Sequence, residues 1–328
     1  MRKRDLAFTG RYAQLCQGFI NYKRSLGYSY GVRQCYCVKY LNDYLTECGC
    51  AATGLTRDAV EGFIRRKGME SATTQSKRVF IIRQFGMYLT SIGHTSYIPP
   101  FDCVKPDKSF VPYIYSKDEI TAIVNVSEKL EEHRRWPNSH LVYPMILRIL
   151  FGCGLRVSEV LNLKETDVDL KNGTIYVEKS KFNNSRVVPM ATGIWESCAA
   201  YCNKFAHHPS GERYFFEVNQ GKPYQIVSIY ARFRSILAQA GINHNGRGNG
   251  PRLHDARHTY AVYALEQMVQ QGMDIYCALP ILSTYLGHRT IESTEKYVRL
   301  VPAFYESIIH SMSNVYEGLF PEVAYESK

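Results

Sequence analysis

The sequence predicts a mostly helical protein with one small β-hairpin. Most segments carry apolar residues three or four positions apart, as on one face of a helix, and only residues 174–178 and 186–190 have the pattern of short strands. The chain has no alternation of strands with helices, no Walker A sequence and no G-x-G-x-x-G sequence. These absences argue against a nucleotide-binding parallel-sheet protein.

Length and composition allow two globular domains. The chain has 328 residues, 45 % of them apolar, and no apolar run approaches the roughly 18 residues that a membrane span requires. The basic N-terminus is not followed by an apolar stretch, so we predict no secretory signal and no membrane association. Ten scattered cysteines in such a chain predict reduced thiols in a cytoplasm.

Residues 1–95 predict a small domain of four helices. Gly27 and Gly49 end the first two helices, Thr56 is the expected N-cap of the third, and Ser71 or Thr73 opens the fourth. The apolar faces are marked by Phe19 and Ile20, by Val38, Leu41 and Leu45, and by Val79, Ile82 and Phe85. Residues 96–116 contain four prolines and no helical period, which predicts an extended linker.

Residues 117–328 predict a second domain. Ser116 caps its first helix, and the strongly apolar segment PMILRILFGCG is expected to be a buried helix. The two predicted strands are joined by a basic, polar tip with the sequence KSKFNNS, and further helices follow. The last is an amphipathic helix over 303–320, which could pack on its own domain or on a neighbouring protomer.

The positive charge lies mainly in the first domain. The net charge is +10, and residues 1–106 hold 16 Lys and Arg against 7 Asp and Glu, whereas residues 107–328 hold 24 against 23. This asymmetry indicates a polyanionic partner for the first domain, most simply nucleic acid.

Metal chemistry is not indicated. Cys35 and Cys37 form one of two C-x-C pairs, but a helix over 33–47 would point them about 200° apart, too far to hold one ion. The sequence has no H-E-x-x-H and no converging set of carboxylates for a hard cation. Chemistry on a phosphodiester would therefore depend on organic cations.

Four sequence motifs, taken together, resemble those of the tyrosine recombinase/integrase family. They are GLRVSE, SKFNNSRVVP, HDARHT and LGHRTIESTEKY, and they occur in this order across about 116–300. The N-terminal helical unit resembles the SAM-like core-binding domain of that family, and the second domain resembles its catalytic domain. The resemblance implies cleavage of DNA through a covalent 3′-phosphotyrosine, with neither a metal nor another cofactor.

The resemblance also implies the roles of the site residues. Tyr297 would attack the scissile phosphate, while Arg156 and Arg257 would bind its two non-bridging oxygens. Lys181 would protonate the departing 5′-oxygen, although Lys179 lies two residues away on the same tip and is the alternative.

Two histidines and one carboxylate complete the implied set. His254 would take the Tyr297 proton or bond the phosphate, and His288 would donate a hydrogen bond to a non-bridging oxygen. Glu159 would orient the cations, whereas His258, beside Arg257, would be structural.

The function implied is site-specific DNA recombination. The expected substrate is double-stranded DNA with an inverted-repeat core site, clamped between the two domains of each protomer in a homo-tetramer. The expected setting is integration or excision of a mobile element at the nucleoid, alongside sister recombinases. The alternatives are a relaxase of the type IB topoisomerase kind and a non-catalytic DNA-binding accessory subunit.

Overall fold

The chain divides into two compact units, residues 1–111 and 112–328. The computed structural model describes residues 7–49, 54–105, 111–134, 138–178, 185–205, 213–219, 221–244 and 250–301. The predicted fold class, mostly helical with small sheets, is confirmed. Within these described ranges, no helix is both long and apolar enough to cross a membrane.

The first unit contains the four predicted helices. They are α1 (Ala13–Ser25), α2 (Val32–Glu47), α3 (Arg57–Ile64) and α4 (Ala72–Ser91). The Thr56 side chain caps α3 by accepting from the backbone N–H of Ala59, and Ser71, not Thr73, caps α4. Each of these caps satisfies an N–H that has no partner within its helix, which is typically worth about 1 kcal/mol.

An aromatic core holds the first unit together. Phe19, Phe63 and Phe85 are fully buried, and the rings of Phe19 and Phe85 pack edge-on with centroids 5.5 Å apart. A buried ion pair between Arg78 and Glu70 lies beside this core, and the same guanidinium donates to backbone carbonyls at the end of α3. The pair therefore fixes α4 against the end of α3.

The second unit is built around one buried helix. Its helices are α5 (Lys117–Glu128), α6 (Ser139–Cys153), α7 (Val157–Leu161), α8 (Thr192–Phe205), α9 (Ile226–Gln239), α10 (Asp255–Gln270), α11 (Ile275–Leu286) and α12 (Glu292–Glu295). Helix α6 is buried on nearly every face, and α5, α8 and α10 pack against it. Its apolar sequence thus forms the centre of the core, as expected.

The predicted hairpin strands are confirmed. They are β2 (Thr174–Val177) and β3 (Arg186–Pro189), and β1 (Val168–Asp169), which was not predicted, completes an antiparallel sheet in the order β1-β2-β3. The tip that joins β2 to β3, with Lys179 and Lys181, lies outside the described residues, as does the predicted helix over 303–320. A second short pair, β4 (Glu217–Asn219) with β5 (Lys222–Pro223), was not predicted, because strands of two or three residues leave no periodic pattern.

The turn between α6 and α7 requires glycine at position 154. Gly154 ends α6 with a φ of 61°, and an added Cβ would lie only 2.8 Å from Cγ of Tyr260. We expect Gly154→Ala to lower the free energy of unfolding by about 2 to 4 kcal/mol, from backbone strain and overpacking together.

Chemical denaturation measures this effect against a matched control. Gly193, near the start of α8, has nothing within 4 Å of an added Cβ, so Gly193→Ala should leave stability unchanged or slightly higher. Equal effects of the two substitutions would show that the turn tolerates a side chain.

Candidate active site

Glu159 is the centre of a buried cluster of charges in the second unit. Its carboxylate contacts the guanidinium of Arg156 at 2.5 Å and that of Arg186 at 2.8 Å, and Arg257 lies 3.9 Å away. Glu159 also accepts the backbone N–H of Arg156, so it fixes the start of α7 as well as the cations. The carboxylate side chain is 5 % exposed, so these contacts lie in a poorly solvated interior.

The carboxyl end of helix α11 holds the same three arginines. Arg186 donates to the carbonyl of Tyr285 at 2.8 Å, Arg257 to that of Leu286, and Arg156 to that of Gly287 at 3.1 Å. These carbonyls have no partner within the helix, and the helix end carries partial negative charge. Helix α11 and Glu159 together therefore orient three guanidinium groups toward one region.

The cluster keeps its charges at neutral pH. Burial alone would raise the pKa of Glu159, but the hydrogen bond and charge of Arg186, and then Arg156, hold it at about 2. Burial, and then the charge of Arg156, lower the pKa of Arg257 only to about 10. Three cations thus face one carboxylate, and the excess positive charge suits a bound phosphodiester.

Tyr297 lies beside this cluster and is fully buried. It follows α12, and its ring packs among apolar residues of α10 and α11. Burial raises the pKa of the Tyr297 hydroxyl to about 12, although the charges of Arg257 and Arg156 act in the opposite direction. The hydroxyl is therefore protonated at neutral pH, and its use as a nucleophile requires a group that accepts the proton.

The predicted histidines occupy different positions around Tyr297. The ring of His288 stacks on that of Tyr297 with centroids 6.2 Å apart, and its Nδ1 lies 2.7 Å from the Thr294 hydroxyl. Burial, and then Arg257, lower the pKa of His288 to about 3, so the ring is neutral. His254 is exposed at the start of α10, and no hydrogen bond joins it to Tyr297 in the described part of the chain.

Two residues of the cluster were missed or assigned differently from sequence. Arg186 was not singled out, although its R-x-x-P word directly follows the basic tip. His258 was expected to be structural, but its Nδ1 lies 2.9 Å from the Tyr297 hydroxyl oxygen. Lys181 and Lys179 lie outside the described residues, while Arg186 lies at the start of β3.

Replacing Glu159 should destabilise the protein and change its response to acid. Glu159→Gln leaves buried guanidinium groups without their carboxylate, and we expect a loss of about 3 to 5 kcal/mol in the free energy of unfolding. Because folding lowers the pKa of Glu159, its contribution is complete above the usual pKa near 4.3 and is lost as the pH falls toward 2.

Denaturation at several pH values between 6 and 2 tests both expectations. The wild type should lose about 3 kcal/mol more than Glu159→Gln across this range. Glu128→Gln, which breaks the more exposed pair with Arg148, should cost less than about 1 kcal/mol. Parallel acid profiles for wild type and Glu159→Gln would contradict the proposed charge state.

A cluster of guanidinium groups beside a tyrosine hydroxyl defines a class of enzyme that transfers a phosphodiester onto tyrosine. The described residues contain no group of three or more His, Cys, Asp or Glu side chains that could hold a metal ion. Residues 114–303 match the phage integrase family, and the chain belongs to that family. It is accordingly a tyrosine site-specific recombinase in class, as predicted.

Individual relatives agree with this assignment. The chain is 26 % identical to a Sinorhizobium fredii strain NGR234 protein named integrase/recombinase y4rB, over 93 % of this chain and 98 % of that one. It is 26 % identical to the tyrosine recombinase XerC of Staphylococcus carnosus strain TM300, over 73 % and 74 % of the two chains. A solved structure of the Tn1549 transposon integrase with transposon right end DNA has a similar fold, with a TM-score of 0.65 and 14 % identity over 91 % of this chain and 99 % of that one.

Proposed function

We propose that the chain cleaves duplex DNA by attack of Tyr297 on a phosphodiester and rejoins the broken strand to a new partner. The observation that carries this proposal is the convergence of Arg156, Arg186 and Arg257 on Glu159 and the end of α11, next to the protonated hydroxyl of Tyr297. The bond energy stays in the phosphotyrosine, so rejoining needs no nucleotide triphosphate.

Each residue of the site would have a distinct task. Arg156, which is 16 % exposed, and Arg257 would bind the non-bridging oxygens and stabilise the charge of the pentacoordinate transition state. His288 would donate a hydrogen bond to the same phosphate. Lys181, on the loop that leads into Arg186, would protonate the 5′-oxygen as it leaves.

Both units would bind the DNA duplex. The positive charge of the first unit supports this arrangement, since phosphate contacts supply most of the affinity of such proteins. The DNA complex of the structurally similar Tn1549 integrase is a second support, and it favours a role on a mobile element. A tetramer would assemble on an inverted-repeat core site, alongside sister recombinases, in the cytoplasm at the nucleoid.

Covalent capture tests the proposed function. Wild type is incubated with a nicked, fragmented library of host DNA and denatured in detergent, and the DNA that stays attached is sequenced. Adducts that accumulate at one inverted-repeat core would support the recombinase. Adducts spread without preference would favour a relaxase, and salt-sensitive binding without adducts would favour an accessory subunit.

A further inference from the structure

His258 is the histidine in direct contact with the nucleophile. Its Nδ1 lies 2.9 Å from the hydroxyl oxygen of Tyr297, and the two ring centroids are 5.7 Å apart. Both side chains are buried, with exposed fractions of 7 % for His258 and 0 % for Tyr297. Within the described ranges, the Tyr297 hydroxyl has no other hydrogen bond, so the pair is exclusive there.

Burial and the charges around His258 keep its ring neutral. The ring faces His254, at 5.0 Å between centroids, and the cationic groups of Lys296, Arg252 and Arg257. Burial, followed by these neighbours, lowers the pKa of His258 to about 3, so the ring is neutral. In the tautomer of the neutral ring that carries its proton on Nε2, Nδ1 is an acceptor, and the Tyr297 hydroxyl, which keeps its proton, donates to it.

We propose that His258 is a catalytic residue that accepts the Tyr297 proton during DNA cleavage. The inference rests on the proposed function. It assigns to His258 the proton-accepting role that the family resemblance implies for His254. His254 lies at the exposed start of α10, where it can contact a DNA phosphate instead.

Cleavage begins from the hydrogen bond between Tyr297 and His258. The Oη–H bond of Tyr297 breaks, its proton moves to Nδ1 of His258, and Oη forms the new bond to phosphorus. The bond from phosphorus to the 5′-oxygen breaks, and that oxygen takes a proton from the acid on the leaving side. On rejoining, the 5′-hydroxyl gives its proton back to the group on the leaving side and its oxygen bonds to phosphorus. The bond from phosphorus to Oη then breaks, and His258 returns its proton to the Tyr297 oxygen.

Bound DNA would make His258 a stronger base. The cations that face the ring disfavour its protonated form, and an arriving phosphodiester offsets part of their charge. The proton of Tyr297 would then move when the phosphate is in place, so cleavage is coupled to DNA binding.

Two substitutions test whether His258 acts as a general base or has another role. His258→Asn keeps an oxygen near the position of Nδ1 that can accept a hydrogen bond from the Tyr297 hydroxyl but cannot hold its proton. His258→Ala leaves room for added imidazole. His94→Asn in the first unit is the matched control. The rate of covalent attachment to the nicked host-DNA library is measured from pH 6 to 9 with full-length protein, together with DNA affinity and thermal unfolding.

We expect His258→Asn to attach DNA about 10²- to 10³-fold more slowly than wild type at pH 7, with DNA affinity unchanged. Its rate should rise steeply with pH as hydroxide replaces the base, and imidazole should partly restore the rate of His258→Ala. The His94→Asn variant should behave as wild type.

Three outcomes would overturn the proposal. Attachment as fast as or faster than wild type would mean that His258 only restrains Tyr297. A loss of equal size at every pH, without imidazole rescue, would mean a structural role. If wild type and His94→Asn form no adduct, the proposed function fails as well, whereas a normal wild-type adduct with unimpaired His258→Asn removes this inference alone.

Discussion

Tyr297→Phe should abolish covalent attachment of DNA while leaving DNA binding intact. The substitution removes only the hydroxyl oxygen that would attack phosphorus, and the buried ring keeps its packing against α10 and α11. A phenyl ring has no oxygen that can bond to phosphorus, so we expect adducts below detection rather than a partial loss. Gel analysis after detergent denaturation measures the adduct, and filter binding measures the affinity.

Tyr297→Phe should lower the free energy of unfolding modestly. Nδ1 of His258 loses its partner, which costs about 1 to 3 kcal/mol when a buried polar atom is left without a hydrogen bond. Tyr260→Phe is a suitable control, because it removes the hydroxyl of a partly buried tyrosine in α10 and should still form adducts. Adducts of normal yield with Tyr297→Phe would exclude Tyr297 as the nucleophile.

Arg257→Lys should have the second largest effect on cleavage. The Arg257 side chain is 3 % exposed and donates to the carbonyl of Gly154 at 2.9 Å and to that of Leu286. Lysine keeps the charge, but a single ammonium group cannot bond both carbonyls and a phosphate in the fixed planar geometry of guanidinium. We expect the rate of adduct formation to fall about 10²- to 10³-fold.

The controls for Arg257→Lys separate chemistry from binding and folding. DNA affinity should fall less than about tenfold, because one phosphate contact is lost among many. Arg148→Lys, on the more exposed pair with Glu128, should leave the rate unchanged. A rate for Arg257→Lys within about twofold of wild type would argue against a phosphate-binding guanidinium at this position.

Much of the fold could be predicted because its signals are local. Thr56 and Ser116 cap helices where a hydroxyl precedes a helical period, and the alternating segments around Ile175 and Val188 pair as strands. The short strands β1, β4 and β5 and the four-residue helix α12 were not predicted. Their few residues are held by tertiary contacts, which a sequence period does not encode.

Most residues of the site could be predicted from the sequence, but the contacts between them could not. Sequence motifs indicated Arg156, Arg257 and Tyr297. They did not indicate that backbone carbonyls at the end of α11 orient the arginines. The contact of His258 with Tyr297 joins residues 39 positions apart, so it depends on how α10 packs against the segment after α12. The R-x-x-P motif at Arg186, directly after the basic tip, was a usable signal for this arginine.

The central claim is that Tyr297, held beside the arginine cluster, becomes covalently linked to DNA. The most direct test is mass spectrometry of the protein recovered from wild-type adducts after nuclease digestion, with fragmentation that localises the nucleotide to one residue. We predict a nucleotide attached through its 3′-phosphate to the Tyr297 oxygen. A nucleotide on a different residue, or attachment through a 5′-phosphate, would contradict the account.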